Sequence, residues 1–155
     1  MRGALMAGLQ LKYGLDFNPN SCATLKANFP SIKVFEKWAN DFVTLRDPDG
    51  TLHVDILHLS PPCQVFSPVH TVPGQDDDMN FASLFAVGAL IMKTRARQVT
   101  LEQTFGILHD RFRQPFNSLI RMFTDAGFST SWQVVKFQDY GLGQMRRRLI
   151  IVAAG

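Results

Sequence analysis

Cysteine is scarce in this 155-residue chain. There are two, Cys22 and Cys63, far apart and in unlike surroundings. That excludes a disulfide framework and any cysteine spacing of a structural zinc site, so no metal is expected, and a reducing interior is the natural compartment. Long apolar runs are missing too. None reaches the length needed to cross a bilayer, and the opening residues MRGALMAGLQLKYG do not read as a secretory signal. Internal repeats, low-complexity tracts and linkers are absent. So is a strong excess of either charge: 16 Lys and Arg stand against 13 Asp and Glu, a net +3. Such a balance permits a polyanionic partner without demanding one. What remains is a globular composition, 46% hydrophobic and 19% charged, in a chain long enough for one domain with a real core.

The elements that are present alternate. GALMAGLQL reads as a short helix and KYGLDF as a strand ending at Asp16. A helix should then start with Asn18 as cap and Pro19 at its first position. SIKVF reads as a second strand, RDPDG as a turn, and HVDILHL as a strand buried on both faces. The next helix is expected over Asn80 to Thr94, followed by the strand QVTLEQ. The clearest helix is QPFNSLIRMFTDAGF, with Phe116, Leu119, Ile120 and Phe123 on one stripe and Gly127 just past its end. SWQVVKFQ and RLIIVAA close the series as strands. This alternation predicts an α/β sheet, largely parallel, with helices on both faces. Ligands of such sheets bind at the carboxyl ends of strands, where Asp16, Cys63 and Glu102 all fall.

Cys63 stands in the stretch HLSPPCQVFSP. A lone cysteine is usually a small buried hydrophobe. This one follows a buried strand and two prolines, which fix the backbone direction, and a rigid strand-end thiol suits a nucleophile. Glu102 follows an apolar strand, where a carboxylate must be paired or its pKa rises. It is either an edge group in solvent or an acid that hydrogen-bonds a heterocycle. In GLGQMRRRLIIV, Gln144, Arg146 and Arg148 alternate and share a face. Arginines entering a buried strand need an anionic or carbonyl partner. Asp16 sits where an acid bonds ribose hydroxyls in nucleotide-binding folds, with Phe17 beside it to stack on a purine. Asp41 follows the second strand.

SPPCQVFSP resembles the catalytic motif of the DNA cytosine-C5 methyltransferases. LEQT is similar to that family's Glu-Asn-Val motif, and QMRRR fits its Gln-x-Arg-x-Arg motif. YGLDFNPNSCATLKANF resembles its cofactor-ribose segment. Order and rough spacing agree across nearly the whole chain, and LEQTFGIL with the double proline looks most like the fungal branch. The resemblance implies a Rossmann-like S-adenosylmethionine-dependent methyltransferase sheet, N-terminally truncated with the first strand missing. Residues 1–155 would form a partial catalytic domain without a target-recognition region.

By the same resemblance, S-adenosylmethionine is the cofactor and DNA the partner, in the nucleus of a eukaryote or otherwise in the cytoplasm, with no membrane involved. Cys63 would attack C6 of a flipped cytosine, and Glu102 would hold the base edge. Arg148 would contact the base carbonyl or support the cysteine loop. Arg146 and Ser67 would hold phosphate, with Gln64 and Gln144 also on the DNA side. Asp16 would take the cofactor ribose, Phe17 and Pro62 would lie against the cofactor, and Asp41 would accept from the adenine amino group.

Two departures shape the expectations. Gln103-Thr104 replaces the family's Asn-Val, keeping an amide that reaches farther toward the cysteine loop. The family's glycine-rich Phe-x-Gly-x-Gly turn is not found, so the chain alone is expected to be weak or inactive. The alternative is a non-catalytic remnant acting as a binding or structural module. A cysteine hydrolase using Cys63 with His58 or His70 is a third, remoter reading.

Overall fold

The computed structural model of the chain describes residues 1–47, 52–67 and 77–155. The chain divides into two compact units, Met1–Asp47 and Pro48–Gly155.

In the first unit, α1 (Arg2–Met6) leads to β1 (Tyr13–Asp16), α2 (Pro19–Asn28), β2 (Lys33–Glu36) and α3 (Ala39–Thr44). The strands β1 and β2 pair in parallel, Tyr13 opposite Lys33 through Asp16 opposite Glu36. The expected cap is in place. The Asn18 side chain accepts from the backbone N–H of Asn20 at 2.9 Å and of Ser21 at 3.2 Å, with Pro19 opening the helix. Gly14 lets α2 lie close over β1: a Cβ there would meet Leu25 at 3.3 Å and Ile32 at 3.4 Å. The buried apolar side chains of this unit are Cys22, Ile32 and Phe42. Burial, then the Glu36 and Asp16 carboxylates, pushes the Cys22 thiol pKa up, so this cysteine is an uncharged packing group.

The second unit runs β3 (Ile56–Leu59), α4 (Asp77–Phe85), α5 (Val87–Thr94), β4 (Gln98–Gln103), α6 (Arg113–Asp125), β5 (Ser129–Lys136) and β6 (Arg147–Ala154), and its strands form one four-stranded sheet ordered β3-β4-β6-β5. Strand alternation points Val99, Leu101, Leu149, Ile151 and Ala153 into the core. Leu119 and Phe123, on the stripe expected for α6, are buried, and Phe116 meets Trp132 of β5 edge-on at 5.5 Å. No helix among the described residues is long and apolar enough to cross a membrane.

Four expectations need correction. The sheet is mixed rather than largely parallel: β3 and β4 are parallel, but β6 runs antiparallel to both β4 and β5. Residues 137–146 are too few for a parallel crossover, which leaves an antiparallel return. The helix expected over Asn80 to Thr94 is two helices broken at Ala86. The strand β3, expected to be buried on both faces, exposes Ile56 and His58 and fully buries only Leu59, and helix α3 was not anticipated, because ANDFVT is too short for a helical period to show. Pro68, His70 and most of the RDPDG turn lie outside the described residues. Among those described, β1 pairs only with β2, and β3 only with β4.

Candidate active site

Ser60, Glu102, Arg146 and Arg148 gather at the carboxyl end of β4. Glu102 and Gln103 are successive residues there, so they face opposite sides of the sheet. Glu102 lies on the side away from the core with 18% of its side chain exposed. Its carboxylate has three partners. The Ser60 hydroxyl donates to Oε2 at 2.9 Å, an Arg146 Nη2 donates to Oε1 at 3.3 Å, and Arg148 Nε lies 2.8 Å from the same oxygen. Arg148 Nε is buried and makes an ion contact there without hydrogen-bond alignment. Arg148 also donates from Nη1 to the Arg147 carbonyl at 2.8 Å. The anionic partner that the arginine alternation called for is therefore Glu102. Arg146 and Arg148 share its face, while Arg147 turns the other way and lies 5.0 Å over the Phe105 ring.

Gln103 is fully buried. Its amide oxygen accepts from the Thr104 N–H at 2.8 Å, and its amide nitrogen donates to the carbonyls of Pro61 at 3.5 Å and Pro62 at 3.4 Å. These last bonds are long, but the side chain reaches the loop that carries Cys63. The longer amide reaches across to the loop with two long contacts. The two proline carbonyls and the Ser60 hydroxyl thus tie residues 60–62 to β4 from both sides of the sheet.

Cys63 is half-buried and opens the short 3-10 turn Gln64–Phe66, its carbonyl accepting from the Phe66 N–H at 3.1 Å. Phe66 is the anchor beyond the thiol: fully buried, it meets Phe112 edge-on at 5.1 Å. Gln64 is exposed and Ser67 half-buried. The hydrolase reading gains no support. His58 Nδ1 is 2.8 Å from Thr100 Oγ1, and partial desolvation lowers its pKa. Ser60 was not singled out from the sequence, although a hydroxyl just before a rigid diproline is a fixed donor and could have been.

Of the cofactor-side candidates, Asp16, Phe17 and Asp41 lie in the first unit, whereas Pro62, half-buried, lies in the second. Asp16 ends β1, with Oδ1 accepting from the Asn18 N–H at 2.9 Å. Phe17 is exposed and stacks on Trp38 at 3.8 Å, the rings 6° apart. Asp41 is exposed in the first turn of α3. An acid at the end of a parallel strand beside a flat aromatic surface fits the ribose and adenine of an adenosyl group. Trp38 was missed, because nothing in EKWAND marks it apart from a core residue.

The model of the C-5 cytosine-specific DNA methylases matches residues 3–155. The chain belongs to this family. Among curated relatives, the type II methyltransferase M.NgoMIV of Neisseria gonorrhoeae is 29% identical over 90% of this chain and 43% of its own length. M.XorII of Xanthomonas oryzae is 30% identical over 98% of this chain and 37% of its own. Among solved structures, a prophage-encoded E. coli protein described as a DNA modification methyltransferase superposes with a TM-score of 0.76 at 20% identity, over 98% of this chain and 42% of that one. The fold of this chain is thus Rossmann-like, in the class of S-adenosylmethionine-dependent methyltransferases. The chain spans about two fifths of the length of the curated relatives it matches.

Proposed function

We propose that this chain carries the reaction centre of a DNA cytosine-C5 methyltransferase, with Cys63 as nucleophile. The observation that carries the reading is the β4 end. There Glu102 is held by Ser60, Arg146 and Arg148, and Gln103 holds the loop leading into the thiol. Glu102 stands on β4, and the next residue, Gln103, bonds the loop that leads into Cys63, which supports a reading in which acid and thiol act on one base held with little freedom.

The target cytosine is turned out of the duplex, since its C6 cannot be reached in the stack. The Cys63 thiolate adds to C6. Glu102 holds the N3 and amino edge and stabilises the charge that develops there, which makes C5 nucleophilic. Bound S-adenosylmethionine supplies an electrophilic methyl group. Asp16 holds the ribose, and Phe17 and Asp41 the adenine, of that donor. Loss of the C5 proton and then of the thiolate restores the ring. DNA is the partner, which places the protein in the nucleus if its cell is eukaryotic.

The 155 residues alone are expected to turn over slowly. Donor and base must be held with little freedom, and Asp16, Phe17 and Asp41 sit in a unit that buries few side chains. The test is tritium transfer from S-adenosylmethionine to cytosine-rich DNA by purified chain, beside Cys63→Ser. Slow incorporation lost in the variant supports the reading. Incorporation that persists in it removes Cys63 from the mechanism. DNA binding with no incorporation favours a non-catalytic binding module.

A further inference from the structure

The end of the β5–β6 ladder breaks a rule of strand pairing. Lys136 and Arg147 are directly opposed, and like charges so placed destabilise an antiparallel pair. They border a cavity of about 650 Å³ that is also lined by Phe105, Gln144, Arg146 and Arg148. Four cations line it and no carboxylate does. Glu102 engages Arg146 and Arg148 from one side, and neither Lys136 nor Arg147 has an ion-pair partner among the described residues. Arg147 is held over the half-buried Phe105 ring at 5.0 Å, so its guanidinium is oriented rather than loose. The cavity is nucleotide-sized, and both its charge and its cost to the fold ask for an anion.

We infer that Lys136 and Arg147, with Phe105 as platform, form a seat for the phosphodiester backbone of a DNA strand, separate from the arginines that hold Glu102. This rests on the reading of DNA as partner. The arginine run then has two roles, since Arg146 and Arg148 keep the acid in place while Arg147 with Lys136 grips the strand. A flat cation on an aromatic ring also gives an unstacked neighbouring base a surface to lie on.

The test is anisotropy of a labelled duplex across a salt series, comparing the natural chain with Lys136→Gln/Arg147→Gln. About two lost phosphate contacts should flatten the slope of log K against log salt by about 1.8, equally for cytosine-rich and cytosine-free duplexes. The thermal midpoint of the double variant should stay level or rise, because the opposed charges are gone. An unchanged slope in a folded variant overturns the seat, as does a natural chain that fails to bind duplex. Displacement by inorganic phosphate at concentrations as low as those of the duplex assigns the cavity to a free anion, and tighter binding of an RNA of the same sequence replaces DNA as occupant; either overturns the proposal. Tritium transfer on the same proteins separates the two readings. Transfer absent with the slope flattened fails the enzyme and keeps the seat. Transfer with an unchanged DNA dependence keeps the enzyme and fails the seat.

Discussion

The two units of the chain are unequal in what they bury. In Met1–Asp47 a two-stranded ladder rests on Cys22, Ile32 and Phe42. In Pro48–Gly155 a four-stranded sheet has Phe66, Leu101, Ile107, Leu119, Phe123, Leu149 and Ile151 all at zero exposure. The smaller unit carries Asp16, Phe17 and Asp41, assigned to a soluble cofactor, and the larger carries the groups assigned to bond-making. A small ligand can order the groups that bind it by mass action. A nucleophile and its acid must be in register before substrate arrives, and only a packed core supplies that. The difference teaches that rigidity in this molecule is concentrated where covalent chemistry is proposed.

One tryptophan lies in each unit, Trp38 and Trp132, so each can be followed alone in a variant lacking the other. The largest expected effect is that of Phe123→Ala. It should lower the stability reported by Trp132 by about 3–5 kcal/mol and leave the Trp38 transition where it was. Urea titration of the single-tryptophan proteins checks this, and coincident shifts would erase the distinction between the units.

Gln103→Leu should act more locally. It leaves the Thr104 N–H and the Pro61 and Pro62 carbonyls without their partner, a loss of about 1–3 kcal/mol. The sharper readout is the rate at which a maleimide labels Cys63, expected to rise several-fold as the loop loosens, while Cys22 stays protected. An unchanged labelling rate would mean the amide does not hold the loop.

The smallest effect concerns His58. Partial desolvation of the ring, on a residue otherwise exposed, holds its pKa below the ordinary 6.5, so the unfolded chain takes up the proton more readily than the folded one. Stability from keeping the ring neutral is therefore complete above 6.5 and is lost as pH falls below it. The Trp132 thermal midpoint should drop on acidification from neutral pH to about 5, and His58→Gln should flatten part of that drop. A variant profile parallel to the natural one would show that His58 contributes nothing to it.

Much of this was legible in the residues. Asn18-Pro19 announced α2, the stripe Phe116, Leu119, Ile120 and Phe123 announced α6, and alternation placed Arg146 and Arg148 on one face. What escaped were relations between distant segments. Nothing local in LEQT says that a glutamine will reach two proline carbonyls, or in SPPC that Ser60 will meet Glu102. The direction of β6 was lost for a similar reason: an apolar run reads alike whichever way it pairs. Lys136 and Arg147 were invisible as a pair until the register was known.

Among the described residues β1 and β3, like β2 and the longer β5, have a single neighbour each, and the shortness of β1 and β3 bears on how the protein behaves in concentrated solution. A strand flank without a partner is a template on which another chain can lay its backbone. In β1 and β3 each template is only four residues long, so a visiting strand gains few bonds before it runs past the end. Brevity works as the safeguard that a bulge or a proline supplies elsewhere, and lengthening either strand would trade solubility for a stickier edge.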